Sequence, residues 1–594
     1  MLKSMRRIFE IYRRYRARLL ISQILVLASA TATIGVASRN ATLVNDGIEA
    51  GDPEVVIQVG LQMLVLAAVA GLCMAGAASI AVFFSQGSGL AIRSLLYQKI
   101  QTYQFENFDR FRISNLMVRL NSDVINVQNA MLWTTMLGLY APFMVLVTLA
   151  LTIINTPEMT WVLIVLIAVV LILMAFLVPV VFSAYEARQK RLDELNNTMQ
   201  ENLTGVRVVK AFTREQYEIE RFAGRADDLR KPAYIAAFRV GFLSPMLTGI
   251  AQLAIALSLA VGGTAILTGA GMNIGELIAF QQYLTLIIAP LAMMAIVIPF
   301  LLRGDASAER ILEAYDAEAT ITDREDAQVL EPDDVQGRIR FENVTFAFRR
   351  SDGDLDPPVL KNIDLTIEPG EQIGILGATG SGKSALINLL PRFYDVTDGR
   401  ITIDGIDVRD VPLDNLRSIV AIALQEALLF QGDVRFNLKF AQPDAEDYVM
   451  ADAAKAADAH GFIVNLPEQW EAPVTRRGYN FSGGQRQRLS ITRALTSQPK
   501  VIILDDSTSA LDASTEGRVQ SAIPEFTNNI TIIYVAQRIS AVIDLDKIVL
   551  MENGEIVAMG SHEELMDSSS LYQEIYESQL GSGITAGLEL EAGQ

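Results

Sequence analysis

Tyr479-Asn-Phe-Ser-Gly-Gly-Gln-Arg-Gln-Arg488 sets a serine and two glycines directly ahead of a stretch, 486–496, that reads as a helix. Small residues at a helix start leave backbone N–H groups open to an anion. Upstream, Gly377-Ala-Thr-Gly-Ser-Gly-Lys-Ser384 fits G-x-x-x-x-G-K-[ST], a loop whose backbone N–H groups close around phosphates. Ile373-Gly-Ile-Leu376 ahead of it reads as a short strand. Downstream, Val501-Ile-Ile-Leu-Asp-Asp506 is an apolar run ending in carboxylates, as a buried strand that delivers a metal ligand should be. The phosphate-loop pattern alone arises by chance. All three motifs in this order and spacing are far more specific.

Here the sequence resembles the ATP-binding cassette (ABC) transporters, whose signature is L-S-G-G-Q, and the resemblance covers nearly the whole chain. It implies ATP and Mg2+ as cofactors. Gly377, Ala378, Thr379, Gly380, Ser381, Gly382, Lys383 and Ser384 would cradle the phosphates, with Lys383 at the β- and γ-phosphates and Ser384 on Mg2+. Gln425, in Ala423-Leu-Gln-Glu426, matches the family's Q-loop and would contact the metal, as would Asp505. Phe348 stands where the family stacks an aromatic ring, often Tyr, on adenine; the plainer reading is a half-buried strand residue. Ser482, Gly483, Gly484 and Gln485 would contact the γ-phosphate held by the opposite subunit. With one cassette, the chain then needs a second half-transporter. Ser509-Ala-Leu-Asp512 matches the family's D-loop.

Two positions depart from the family. The residue after Asp505, usually the Glu that serves as general base, is Asp506. Aspartate is one methylene shorter, and a misplacement of about 1 Å can cost on the order of 10²-fold in rate. In Tyr534-Val-Ala-Gln-Arg-Ile-Ser540 the family's switch histidine is replaced by Gln537. Glutamine can hydrogen-bond a phosphate but cannot carry the charge of an imidazolium. Together they resemble the impaired subunit of heterodimeric exporters, whose intact signature completes the partner's site. The partner would carry the missing Glu and His. A smaller departure is Thr475-Arg-Arg-Gly478, where exporters usually have an acidic residue near Arg476.

The other half of the chain is apolar. Of 594 residues, 51% are hydrophobic, and a mean hydropathy of +0.29 is too high for a purely soluble protein of this size. Six runs reach the roughly 20 residues that cross a bilayer: Leu19–Ser38, Val56–Phe84, Met131–Ile154, Met159–Ser183, Phe242–Thr268 and Gly275–Leu302. The breaks Asn155-Thr-Pro-Glu158 and Gly269-Ala-Gly-Met-Asn273 hold no Lys or Arg, whereas 85–130 and 185–241 are rich in them. The positive-inside bias puts the long breaks and both termini in the cytoplasm. Those breaks read as helical extensions. Phe108–Asn115 and Gly205–Glu215 resemble the stretches near the family's two coupling helices; the plainer reading is a solvated, charged helix pair. Met5, Ile8, Tyr12 and Tyr15, with Arg6, Arg7, Arg13 and Arg14 between them, predict an interfacial helix on the inner leaflet. Glu276 and Arg303 lie near span ends, where snorkelling is cheap. Gln252, Gln281 and Gln282 line a cavity or bond between helices.

A single cysteine, Cys73, excludes an intramolecular disulfide, and two histidines argue against a multi-His metal site. A net charge of −19 argues against a nucleic-acid partner.

The expected architecture is therefore an α-helical transmembrane domain of six long helices (the ABC exporter fold) plus an α/β P-loop NTPase domain. The expected bounds are 1–18 for the interfacial helix, 19–310 for the membrane domain, 311–335 for a linker, 336–580 for the nucleotide-binding domain and 581–594 for a disordered acidic, Gly-containing tail. The expected function is one subunit of a heterodimeric exporter of lipophilic or amphipathic compounds (drug, lipid or peptide) in a cell membrane. The alternatives are a homodimeric lipid or drug exporter with atypical catalytic residues, and an ATP-gated regulatory or channel subunit.

Overall fold

The computed structural model describes residues 3–11, 16–269, 272–350, 354–527 and 530–581. Tyr12 to Tyr15, Ala270, Gly271 and the tail after Gly581 lie outside the described residues. The chain divides into two compact units, Met1–Gln101 with Ile113–Ala317, and Thr102–Arg112 with Glu318–Gln594.

The first unit is helical. Its elements are α1 (Lys3–Ile11), α2 (Arg16–Thr42) and α3 (Pro53–Gln101); α4 (Phe105–Arg110) belongs to the second unit. Then come α5 (Ile113–Val118), α6 (Val124–Leu137), α7 (Tyr140–Asn155), α8 (Thr160–Thr204), α9 (Val206–Ala211), α10 (Glu215–Leu267) and α11 (Ile274–Asp316). Among the described residues six stretches are long and apolar enough to cross a membrane. Helices α3, α8, α10 and α11 run for 49, 45, 53 and 43 residues. At 1.5 Å per residue each is more than twice the thickness of the hydrocarbon. Much of each basic break is thus a helical continuation of a span, with Thr102–Arg112 set apart from its neighbours in the second unit.

Short polar residues join the helices, as expected where the surroundings supply no hydrophobic drive. Ser22 Oγ donates to Ala77 O at 3.1 Å and Ser29 Oγ to Ala70 O at 2.9 Å, tying α2 to α3. Asn40 Nδ2 donates to Gln282 Oε1 at 2.7 Å, and Gly275 N to Asn45 Oδ1 at 2.8 Å, tying α2 and its π-helical continuation Leu43–Glu49 to α11. Gln282 is therefore an interhelical bond. Met5 and Ile8 of α1 are buried, and Met5 N donates to Asp305 Oδ1 of α11 at 3.0 Å. This apolar face packs on protein.

The second unit is α/β. One sheet holds β1 (Ile339–Phe346), β2 (Leu360–Ile367), β4 (Asp398–Ile403) and β5 (Ile406–Asp407). The main sheet holds β3 (Gln372–Leu376), β6 (Val420–Ala423), β9 (Val501–Asp505), β10 (Thr531–Ala536), β11 (Lys547–Glu552) and β12 (Glu555–Gly560). A two-stranded sheet pairs β7 (Gly432–Asp433) with β8 (Pro473–Val474). The main sheet has the order β12-β11-β3-β10-β9-β6, parallel except at β12. Strands β9 and β10 are buried along their whole length, which a parallel strand covered on both faces requires of its Val- and Ile-rich sequence.

Register then positions the site. Ala536 pairs with Leu376, Val535 with Asp505, and Ala423 with Leu504. The carboxyl ends of β3, β10, β9 and β6 therefore finish at one edge, where ligands bind in open parallel sheets. Residues 318–338 run along this unit. Gln328 N donates to Asp410 O, Leu330 N to Asn415 Oδ1 at 2.7 Å, and Asp323 Oδ1 accepts from Leu413 N at 2.8 Å.

Candidate functional site

The loop 377–382 links β3 to helix α12 (Lys383–Leu389). Gly380 and Gly382 have φ of +87° and +102°, a region that costs an L residue its Cβ clearance. A Cβ at Gly377 would lie 2.4 Å from the Met551 carbonyl oxygen. Lys383 is buried, and its Nζ donates to Gly377 O at 2.7 Å and Ala378 O at 2.9 Å. Burial pushes its pKa down, against the opposing pull of Asp505 and Asp506. Ser381 Oγ is buried without a partner, and Ser384 is exposed. A buried cation bonded only to carbonyls of its own loop, beside an orphaned hydroxyl, suits a polyanion.

Asp505 ends β9. Burial, with Asp506 adjacent, pushes its pKa up to about 6, and Lys383 opposes this. A buried carboxylate so disfavoured as an anion fits a divalent cation. Asp506 has φ +46°, and its N–H donates to Val535 O at 3.0 Å. Its Oδ2 accepts from Gln425 Nε2 at 3.1 Å and from Gln537 Nε2 at 3.5 Å. The structure thus brings Gln425, Asp506 and Gln537 to one oxygen atom.

Ser482 caps the helix Gly483–Thr496. Its Oγ accepts from Gln485 N at 3.2 Å, and Gln485 Oε1 accepts from Ser482 N at 2.9 Å. This capping box holds the start of a 14-residue helix. Gly484 lets that start approach the loop after β9, since a Cβ there would lie 3.1 Å from Ala510 O. Gln487, which the motif reading passes over, latches the two: its Oε1 accepts from Ala510 N at 2.9 Å, and its Nε2 donates to Ser509 Oγ at 3.4 Å. Ser509 Oγ in turn donates to Asp506 O at 2.8 Å. Among the described residues no hydrogen bond joins 482–485 to the loop 377–384.

Phe348 is half-buried, edge-on to Phe346 at 4.9 Å and Tyr394 at 5.3 Å. Tyr394 Oη donates to Asp109 Oδ2 at 2.7 Å, and Phe105 stacks on Phe393 at 4.2 Å. Arg417 Nη2 donates to Gln104 Oε1 at 3.2 Å. These contacts hold α4 within the second unit.

The first unit has a half-open cavity of about 780 Å3 whose walls include Leu177, Val181, Phe182, Leu243 and Phe300. Asn126, Glu186, Gln189 and Arg303 also line it. Arg303, expected simply to snorkel at a span end, is thus on the wall of an apolar cavity with a carboxylate.

Residues 19–291 match the ABC transporter transmembrane region and 360–509 the ABC transporter family. The uncharacterized ABC transporter ATP-binding protein YfiB of Bacillus subtilis is 36% identical over 501 residues, 84% of this chain and 86% of that protein. The chain belongs to the ABC transporters. An ABC domain of this kind binds ATP and couples its hydrolysis to transport, and the chain is an ABC half-transporter, one membrane domain fused to one cassette. Another relative, the ATP-dependent lipid A-core flippase of Syntrophus aciditrophicus, is 30% identical over 580 residues, 97% of this chain and 94% of that protein. A solved bacterial Atm1-family ABC exporter with ATP bound superposes with a TM-score of 0.77 at 23% identity, over 95% of this chain and 98% of that one. The fold is that of the ABC exporters, and the protein is a multi-pass membrane protein.

Proposed function

We propose that this half-transporter is one subunit of a heterodimeric ATP-driven exporter, and that its own phosphate loop builds a slow or non-hydrolysing site. The observation that carries this reading is the double engagement of Asp506 Oδ2 by Gln425 and Gln537. A general base has to reach the proton that it takes. This carboxylate is one methylene short of the usual Glu; one amide donates to it at 3.1 Å and a second faces it at 3.5 Å. Gln537 adds no charge to stabilise the transferring phosphoryl group.

Gly377 to Gly382 and Lys383 cradle the triphosphate, and Phe348 offers a ring edge-packed into position beside the base. Ser384, Gln425 and Asp505 would hold Mg2+, which supplies charge neutralisation between the β- and γ-phosphates. Ser482, Gly483, Gly484 and Gln485 serve the partner's site, consistent with the absence of bonds between them and this chain's own loop. The partner brings Glu after its metal-binding aspartate, and a switch His. Both termini face the cytoplasm of a cell membrane.

The cargo is an amphipathic compound. The cavity pairs apolar walls with Arg303 and Glu186, so it takes a chain or ring system whose headgroup carries charge. The likeness to a lipid flippase supports a lipid-like cargo.

The test is affinity purification of the chain from its native membrane, with identification of what accompanies it. A second half-transporter bearing Glu and His is the expected result. A dimer of this chain alone with brisk ATPase overturns the heterodimer.

A further inference from the structure

The backbone just beyond β10 is gripped by a residue that no motif marks. Gln579 Nε2 donates to the Gln537 carbonyl oxygen at 3.0 Å, and Gln579 Oε1 accepts from Ile539 N at 2.8 Å. One primary amide closes on a donor and an acceptor, as a neighbouring strand would. Gln579 lies in the turn Glu577–Gly581 after the helix Ser570–Tyr576. That segment is anchored: Tyr572 is fully buried, and Ile575, Tyr576 and Leu580 pack on the cluster holding Tyr534, Ala536 and Ile539. The Gln537 side chain leaves toward Asp506, where its contact is long at 3.5 Å. A bond so weak does not hold a loop in place; the two shorter backbone bonds do.

We propose that Gln579 is a positioning residue for the switch, and that through it the helix Ser570–Tyr576 controls how Gln537 meets the nucleotide site. The inference rests on the reading of the Asp506–Gln537 edge as an ATP site, but not on that site being slow. Because Gln579 is exposed, replacing it leaves the core intact.

The experiment uses the full-length protein in detergent with Gln579→Ala and Gln579→Glu, each in the wild-type and Asp506→Glu backgrounds. Glutamate keeps the acceptor for Ile539 N–H and sets an oxygen against the Gln537 carbonyl, so it splits the two arms. Hydrogen exchange at the Ile539 amide should accelerate about tenfold or more in Gln579→Ala. Turnover should fall about three- to tenfold in both variants, with KM and the Kd of a fluorescent ATP analogue within about twofold, since a shifted loop misplaces a group without removing a binding contact. Where wild-type turnover is too slow to read, the same fall should appear in the Asp506→Glu background. The proposal is overturned if exchange accelerates while turnover in both backgrounds stays within twofold. It is equally overturned if turnover falls only in step with the melting temperature. Brisk wild-type turnover would sink the slow-site reading and leave the ratio between Gln579→Ala and wild type as the test of the clamp.

Discussion

Gln537 Nε2 lies 3.5 Å from Asp506 Oδ2, the oxygen that also accepts from Gln425 Nε2 at 3.1 Å. In the proposed site the carboxylate at the base position thus accepts from one amide and faces a second, the one at the switch position.

On the proposed reading, a longer carboxylate restores the base. Asp506→Glu combined with Gln537→His should raise the ATPase of the chain alone by about tenfold or more, in keeping with the 10²–10⁴-fold contribution of a positioned acid or base. Steady-state phosphate release by the purified chain measures it. An unchanged rate would mean that chemistry is limited elsewhere.

Lys383 donates both of its recorded bonds to its own loop, so a ligand phosphate replaces carbonyl partners with charged ones and gains strength. Lys383→Ala should weaken binding of a fluorescent ATP analogue by about 10²-fold, as expected for losing a hydrogen bond to a charged group worth ~3 kcal/mol. Titration of the two proteins side by side decides it.

Asp505 gives a pH dependence of known sign. Its folded pKa, about 6, lies above the ordinary carboxylate value. Between that ordinary value and about 6 the folded state binds the extra proton, so this group makes the nucleotide-free protein more stable as pH falls through 6. A cation needs the carboxylate ionised, so Mg2+-dependent nucleotide binding should weaken below about pH 6 by up to tenfold per unit. Melting curves without nucleotide and binding isotherms with Mg2+, both from pH 7.5 to 5, test the two halves. Asp505→Asn should flatten the melting trend.

Gly275 is a packing constraint in the membrane unit. A Cβ there would lie 2.5 Å from the Ala41 carbonyl oxygen and 2.5 Å from Asn45 Oδ1. Gly275→Val should destabilise the helix pair by about 1–3 kcal/mol, the usual cost of overpacking. Thermal unfolding in detergent, against Gly249→Ala, where a Cβ meets nothing within 4 Å, provides the comparison.

Features that are contiguous in the chain were legible in its sequence. The loop 377–384, the stretch 479–488, the apolar strand ending at Asp505 and the six apolar runs each carry their meaning within a few residues, through glycine spacing, helix capping and hydrophobic length. They establish an exporter-fold ABC half-transporter and mark Asp506 and Gln537 as departures. What those departures do to each other was decided only by tertiary structure. Gln425 and Gln537 lie 81 and 31 residues from Asp506. They meet because β6, β9 and β10 are parallel, and parallel strands are joined by long crossovers whose length says nothing of register. For the same reason Gln579, 42 residues from Gln537, left no local signal, and the place of Thr102–Arg112 in the second unit rests on aromatic stacking and hydrogen bonds between residues nearly three hundred positions apart.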